Sequence, residues 1–108
     1  MFLAVALGAF GSHALRGRIS DYYLDVYKTA VLYHMVHALG LFVVGWVSGF
    51  CHSAKVHYAG LFMLLGIVFF CGSLYVLSIS GIKWLGAITP LGGLCFLSAW
   101  LLLLLSIC

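Results

Sequence analysis

The stretch TAVLYHMVHALGLFVVGWVSGFC, residues 29–51, contains no Asp, Glu, Lys or Arg. A hydrocarbon core of about 30 Å is crossed by roughly 20 residues of α-helix, so this stretch is long enough to span a membrane. Similar apolar runs cover residues 1–15, 58–80 and 84–108, and the charged residues fall almost entirely between the four runs. The pattern predicts an all-α integral membrane protein, a four-helix bundle that forms one membrane domain over residues 1–108.

The composition excludes a water-soluble domain. Hydrophobic residues make up 66% of the 108 residues and charged residues only 6%, which leaves too little polar surface to cover an aqueous core. The five basic residues are too few and too dispersed for a nucleic-acid interface. We therefore expect the lipid bilayer as the main partner, together with self-association or packing beside another membrane protein, and no nucleic acid.

The first run is shorter than the other three. At about 1.5 Å per residue, residues 1–15 reach only about 22 Å, less than the hydrocarbon core. Either the bilayer thins around a short first helix, or the natural start lies upstream of Met1 and the helix is truncated; we favour truncation. Nothing basic precedes this run, so we do not expect a cleaved signal peptide.

The basic residues predict the orientation. Connector 16–28 contains three of them and connector 81–83 contains one, whereas the connector at 51–57 contains Lys55 alone. Because cytoplasmic loops carry the excess of Lys and Arg, we expect loops 16–28 and 81–83 in the cytoplasm and both termini outside. Aromatic residues near the run ends are expected to anchor the helices at the membrane interface: Tyr22, Tyr23, Tyr27, Tyr58 and Trp84.

Cysteines and small residues give weaker signals. Cys51, Cys71, Cys95 and Cys108 lack the spacing of a zinc site, and a thiol within an apolar run behaves as a small hydrophobic group, so we expect neither a disulfide nor zinc. Two sets of small residues have the spacing of helix-packing motifs: Ala4, Gly8 and Ser12, and the pair Gly45 and Gly49. Because the chain has 13 glycines, either set could also arise by chance.

Uncharged polar residues inside the runs gather in the half of the membrane expected to be cytoplasmic. Since a polar side chain that faces lipid costs several kcal/mol, these residues are expected to face protein. On the third helix a heptad line joins Gly66, Ser73 and Ser80. On the second helix the predicted protein-facing stripe consists of Thr29, Tyr33, His37, Gly40, Val44 and Ser48. The candidate polar cluster is His13, Tyr33, His37, Ser73, Tyr75 and Thr89.

The histidines have more than one interpretation. His37 is expected either to hold helices together as a neutral hydrogen-bonding group or to act as a proton relay or ligand. His13 ends its run and can interact with terminal carbonyls alone. A metal site formed by His13, His34 and His37, or haem held by two of them, is the less favoured alternative because no carboxylate or Cys ligand accompanies them. We expect no metal and no cofactor.

Pro90 is the only proline in the chain. Inside a helix it leaves the carbonyl of Gly86 without a donor, and Gly92 and Gly93 permit bending, so these four residues mark the expected kink or break. A structural kink in which Thr89 bonds to the backbone is favoured over a gate.

Four segments resemble one known family: LGAFGSHAL at 7–15, TAVLYHMVHAL at 29–39, GSLYVLSISG at 72–81 and LGAITPLGG at 85–93. In this order they resemble domain of unknown function 423, the YgdD-like small membrane proteins related to animal transmembrane protein 256. The resemblance implies a four-helix membrane protein of about this length and no assigned activity. Family members usually have further residues before the first segment. His13 and His37 match the family pattern, whereas Gln is common at the position of His34.

These observations favour a structural or accessory protein of the bacterial inner (plasma) membrane, with no known biochemical activity. The alternative is a small-solute or proton-linked transporter, or a ligand-binding membrane protein, whose polar cluster lines a cavity open to the cytoplasm. An enzyme is not expected, because no nucleophile and base pair, acid pair or metal quartet occurs. Side chains bonded to one another would favour the structural hypothesis, and an open polar pocket would favour transport.

Overall fold

The computed structural model describes residues 1–15 and 17–106, apart from the side chain of Ser12. The described chain folds into four helices: α1 (Phe2–His13), α2 (Asp21–Ser48), α3 (Ala54–Ser80) and α4 (Lys83–Leu105). Within these residues no strand occurs. The expected all-α fold, with three long apolar helices and a short first one, is confirmed. The predicted end of the fourth helix at Cys108 and the basic residue Arg16 lie outside the described residues.

Helix α2 begins at Asp21, well before the apolar run that starts at residue 29. Ser20 caps it, since its hydroxyl oxygen accepts a hydrogen bond from the backbone N–H of Tyr23 at 3.2 Å. Asp21 in the first turn adds a favourable interaction with the helix dipole. Hydropathy therefore marks the part of α2 that is suited to lipid, whereas the cap determines where the helix begins.

Helix α3 contains a π-helical segment, Ile67–Cys71, between two α-helical parts. Two glycines allow α3 and α4 to approach closely here, Gly66 just before this segment and Gly92 in α4. A side chain at Gly92 would collide with the backbone of Phe70, and one at Gly66 would collide with the ring of Phe96. The contact between α3 and α4 therefore depends on the absence of a side chain at both positions.

Helix α4 changes geometry near Pro90. It starts as a 3₁₀ helix, Lys83–Ala87, and its α-helical part begins at Thr89. Pro90 lies in the first turn of this α-helical part, where its missing N–H leaves no hydrogen bond unmade. The change of helix type therefore falls just before Pro90. Gly86 belongs to the 3₁₀ part, and Gly92 is buried against α3.

The small residues of the two predicted sets lie in different surroundings. Ala4 is fully buried, and a Cβ atom at Gly8 would lie 3.2 Å from Cγ1 of Val31, so this part of α1 packs closely on α2. Gly45 has nothing within 4 Å of the position of a Cβ atom, and Gly49 meets only the carbonyl of Trp46 in its own helix. Only the first set therefore lies at a contact within the described chain.

Helix α3 lies between α2 and α4, whereas α1 packs on α2. The Cα atoms occupy 49 × 26 × 13 Å, so the arrangement is thin in one direction. One apolar core cluster surrounds Met63 near the loop between α2 and α3, and a second surrounds Phe96 and Cys71 towards the other end. Many large apolar side chains remain exposed, which suits helices whose solvent is lipid.

Cys51 corrects the expectation that the chain has no disulfide, because it is disulfide-bonded. It follows the end of α2, and its sulfur lies 2.8 Å from the carbonyl oxygen of Ser106, beyond the end of α4. Cys71 and Cys95 are free thiols. The expectation rested on cysteines that lie inside apolar runs, whereas Cys51 belongs to a connector between helices.

Candidate functional site

His37 joins α2 to α4 through both nitrogens of its ring. Nδ1 lies 2.7 Å from the carbonyl oxygen of Tyr33, and Nε2 lies 3.0 Å from the indole Nε1 of Trp100. Because an indole N–H can only donate, Nε2 is the acceptor in that contact. The proton is therefore on Nδ1, which donates to the Tyr33 carbonyl. This geometry fixes a neutral imidazole in which both nitrogens have partners.

Aromatic rings enclose the same imidazole. The Phe96 ring stacks on His37 with centroids 3.5 Å apart and planes inclined by 15°. The Tyr33 ring is nearly parallel to the imidazole, with centroids 5.9 Å apart. Phe96 is itself held against the bare backbone of Gly66. His37 is consequently only 4% exposed, and its position depends on packing from both α3 and α4.

Ser73 and Thr89 link α3 to the start of the α-helical part of α4. Their hydroxyl oxygens are 2.7 Å apart. The Ser73 hydroxyl also lies 3.0 Å from the carbonyl oxygen of Phe70, and the Thr89 hydroxyl lies 3.5 Å from the carbonyl oxygen of Leu85. Phe70 belongs to the π-helical segment. This pair therefore fixes the irregular part of α3 against the start of α4.

A third group of polar contacts joins α1, α2 and α3. His34 Nδ1 lies 2.9 Å from the hydroxyl of Tyr75, and the Tyr75 ring contacts the ring of Tyr27 with centroids 5.2 Å apart. The Tyr27 hydroxyl donates to the carbonyl of Leu7 in α1. Tyr27 is 1% exposed, which corrects the prediction that it anchors the helix at the membrane interface.

The predicted cluster therefore divides into separate contacts. Tyr33 joins His37, Ser73 joins Thr89, and Tyr75 joins His34. His13 is exposed at the end of α1, and no hydrogen bond or ring contact connects it to the other five predicted residues in the described part of the chain. Three residues of the predicted protein-facing stripe of α2 are buried: His37, Gly40 and Val44. The other three are exposed, because the buried face also includes Ala30 and His34: Thr29, Tyr33 and Ser48.

Sequence reasoning left three participants out of the cluster. His34 was set aside because relatives commonly have Gln there, although Gln can also bond to a tyrosine hydroxyl. Tyr27 was assigned to the interface from its position at a run end. Trp100 was overlooked, although an indole N–H far from an interface needs a partner, and that requirement was a usable signal.

A groove of about 730 Å³ opens beside His37, between α2 and α4. Its walls are mainly apolar and aromatic, and His37 presents no unpaired nitrogen to it. It is therefore not the polar pocket that the transport hypothesis requires. The lining residues are Tyr33, Val36, His37, Phe70, Pro90, Gly93, Leu94, Phe96, Leu97 and Trp100.

The arrangement of His37 does not fit a metal or haem ligand. A metal at Nε2 would have to displace the Trp100 N–H, and a metal at Nδ1 would displace the bond to the Tyr33 carbonyl. Residues 1–15 and 17–106 contain no group of three or more His, Cys, Asp or Glu placed to hold a metal ion. What the site can do is hold helices in register through hydrogen bonds between uncharged groups.

A second polar region lies at the opposite end of α2. A pocket of about 500 Å³ there is lined by residues that include Ser48, Cys51, His52 and His57. Both histidines are exposed, and both hydroxyl groups at its edge bond to nearby backbone: Ser48 to the Gly45 carbonyl and Ser53 to the N–H of Lys55. No motif in the sequence indicates this pocket, because its lining combines α2, α3 and the connector between them.

Comparison with known proteins assigns the family. The family model described as "Protein of unknown function (DUF423)" matches residues 7–93. The UPF0382 membrane protein YwdK of Bacillus subtilis is 52% identical over 105 residues, which cover 96% of this chain and 85% of YwdK. The UPF0382 membrane protein SH2409 of Staphylococcus haemolyticus is 50% identical over 104 residues, with 96% and 84% covered.

No solved structure matches the chain. The membrane character expected from the apolar runs agrees with the names of these relatives and with three helices that are long and apolar enough to cross a membrane. The family resemblance inferred from the four segments is likewise confirmed. The chain is a membrane protein and belongs to the DUF423 family, whose function is unknown.

Proposed function

We propose that this protein is a structural or accessory component of the bacterial plasma membrane and has no enzymatic activity. The observation that carries the proposal is the double engagement of His37, whose two ring nitrogens bond to Tyr33 and Trp100. The Ser73 and Thr89 hydroxyls bond to each other, and each also lies near a backbone carbonyl of its own helix. A polar group that is hydrogen-bonded to a neighbouring helix contributes to helix packing and is not available to bind a substrate.

Transport is the second candidate, supported by the groove of about 730 Å³ beside Tyr33 and His37. Its walls are mainly apolar, which favours the structural role. A proton relay through His37 would require Nε2 to give up the Trp100 N–H before it could accept a proton. Each transfer would therefore break the contact that holds α4 to α2.

We also propose that loops 16–28 and 81–83 face the cytoplasm. The excess of basic residues in these loops supports this orientation. The disulfide at Cys51 supports it independently, because Cys51 lies at the opposite end of α2 from Asp21. Disulfides persist in oxidising surroundings, and the outer side of a plasma membrane is the oxidising side.

Self-association or packing beside another membrane protein is the third part of the proposal. The molecule is thin, at 13 Å in its smallest dimension, and Gly45 lies on an open face of α2. A Gly45→Cys variant, tested by oxidative crosslinking in membranes, is expected to form adducts, either with a second copy or with another protein. If the protein is a monomer in mild detergent and the Gly45→Cys variant forms no crosslinked product in membranes, the proposal of self-association or packing beside a partner is wrong.

A vesicle experiment tests the structural role against transport. The purified protein is placed in liposomes that contain a pH-sensitive dye, a pH gradient is imposed, and osmotic swelling in small polar solutes is followed in parallel. Wild-type vesicles are expected to leak no faster than protein-free vesicles. His37→Gln is expected to lower the free energy of unfolding in detergent without changing either flux. A protein-dependent flux that disappears in His37→Gln, and persists in Trp46→Phe, would instead establish transport.

A further inference from the structure

A separate groove of about 290 Å³ lies between α1 and α2, away from the contacts of His37. Its lining comes from two helices: Gly8 and Gly11 from α1, and Tyr27, Lys28, Val31 and Met35 from α2. Only one of these side chains carries a charge. The groove therefore combines apolar walls with a single ammonium group.

The glycines of α1 shape the groove. A Cβ atom at Gly8 would lie 3.2 Å from Val31 Cγ1 and 3.6 Å from the terminal methyl carbon of Met35, and one at Gly11 would collide with the Tyr27 ring. The hydrogen bond from the Tyr27 hydroxyl to the Leu7 carbonyl holds the two helices at this separation. Along Val31 and Met35, one and two turns beyond Lys28, the wall is entirely apolar.

Lys28 is the last charged residue of α2 before the uncharged stretch 29–51. A basic residue at this position is expected at the edge of the hydrocarbon core, where lipid phosphates lie. The side chain is exposed, and it makes no ion pair or hydrogen bond with any other described residue. The acidic residues of α2, Asp21 and Asp25, precede Lys28 along the helix and do not line the groove, whereas Val31 and Met35 follow it.

We propose that this groove binds one anionic phospholipid of the surrounding membrane. Its phosphate pairs with the Lys28 ammonium group, and part of one acyl chain lies against Val31 and Met35. The occupant is inferred from charge complementarity, because a basic group above an apolar cleft between membrane helices matches the two parts of an anionic lipid. The larger groove beside His37 has no cationic residue in its lining and offers no such selectivity.

Native mass spectrometry of the detergent-purified protein with added lipid tests the proposal. Wild-type protein is expected to retain phosphatidylglycerol in preference to phosphatidylcholine of the same chains. Lys28→Gln is expected to reduce that preference about fivefold, the factor that one basic residue near an anionic surface provides. Lys55→Gln is the matched control, since Lys55 is also exposed but lies in the first turn of α3, away from this groove, and it is expected to leave the preference unchanged.

Photo-crosslinking locates the lipid. Phosphatidylglycerol with a photoreactive acyl chain is expected to label Val31 or Met35 in wild-type protein, and this labelling is expected to fall in Lys28→Gln. The proposal is wrong if wild-type protein does not distinguish the two lipids, or if both lysine variants lose the preference equally. It is also wrong if labelling falls only in the groove beside His37, or if inorganic phosphate displaces the lipid completely, which would indicate an ion site.

Discussion

The indole N–H of Trp100 donates to Nε2 of His37 over 3.0 Å, and this contact connects the last helix to the second across the apolar interior. The bond also determines the chemistry of the imidazole, because a donor at Nε2 leaves the proton on Nδ1. A histidine that could have been a relay or a ligand is thereby held as an uncharged hydrogen-bonding group. The first prediction follows from the loss of that donor.

Trp100→Phe removes the N–H and keeps an aromatic ring. We expect the free energy of unfolding, measured by SDS titration in mixed micelles, to fall by about 1 kcal/mol, because Nε2 of His37 is left without a donor. Trp46→Phe is the control, since Trp46 is 72% exposed and lies in the same membrane-spanning helix as His37. Equal losses in the two variants would contradict the structural role of the Trp100 bond.

Gly92→Ala tests the close approach of α3 and α4. The added methyl group meets the backbone of Phe70, which cannot move aside as a flexible side chain could. We expect destabilisation of about 1–3 kcal/mol, the range for overpacking. Gly45→Ala, at a position with open space around it, is expected to be neutral or to stabilise by about 0.5–1 kcal/mol. A neutral Gly92→Ala variant would show that the two helices are not in this contact.

A double-mutant cycle isolates the Ser73 to Thr89 hydrogen bond. Ser73→Ala and Thr89→Val are combined, and we expect a coupling energy of about 0.6 kcal/mol and at most about 1.7 kcal/mol, the values found for hydrogen bonds between membrane helices. Ser78→Ala with Thr89→Val is the comparison pair, because the Ser78 hydroxyl donates to the Tyr75 carbonyl instead. If the comparison pair shows a coupling energy as large as that of Ser73 and Thr89, the coupling does not come from the hydrogen bond between Ser73 and Thr89.

Labelling in intact cells tests the disulfide and the orientation together. Under non-reducing conditions Cys51 is expected to resist a membrane-impermeant maleimide, and it is expected to react after treatment with an impermeant phosphine reductant. A Lys83→Cys variant is expected to remain unlabelled in both conditions, since loop 81–83 is proposed to be cytoplasmic. Labelling of the Lys83→Cys variant from outside would reverse the orientation, and immediate labelling of Cys51 would contradict the disulfide.

Tyr27→Phe tests how α1 is attached. The hydroxyl that donates to the Leu7 carbonyl is lost, and the ring against Gly11 is kept. Amide hydrogen exchange is expected to rise in Phe2–His13 and to stay unchanged in α3. Tyr22→Phe is the control because Tyr22 is 68% exposed. Unchanged exchange in α1 would show that this hydrogen bond does not hold the helix.

Apolar run length predicted the helices well because lipid provides no hydrogen-bond partners, so a spanning segment must satisfy its own backbone. The same signal could not locate the start of α2, which depends on the hydroxyl of Ser20. Nor could it pair side chains between helices. Whether His37 contacts Trp100 or His13 depends on the rotation of each helix about its axis and on its shift along that axis. The hydrophobic periodicity of a single run determines neither of these.

The heptad line on α3 holds at Ser73 and fails at Ser80. Buried residues at 56, 59, 63 and 66 alternate spacings of three and four, whereas after the π-helical segment the buried residues are 71, 73, 74, 77 and 78. The buried face is therefore wider after this segment, and Ser80, the last residue of the helix, is exposed. An irregular hydrogen-bonding pattern of this kind carries no compositional mark that the sequence alone would reveal.

The π-helical segment Ile67–Cys71 accommodates one extra residue in a wide turn of α3. Because the wide turn absorbs that residue, deleting one residue there would restore an uninterrupted α-helix and leave Ser73 facing Thr89. Inserting a residue instead would turn everything after it by about 100°. Ser73 would then point away from Thr89, although no residue in that contact had changed. The orientation of the second half of α3 thus depends on the number of residues in this segment, and an insertion there should be tolerated far less than the loss of one residue.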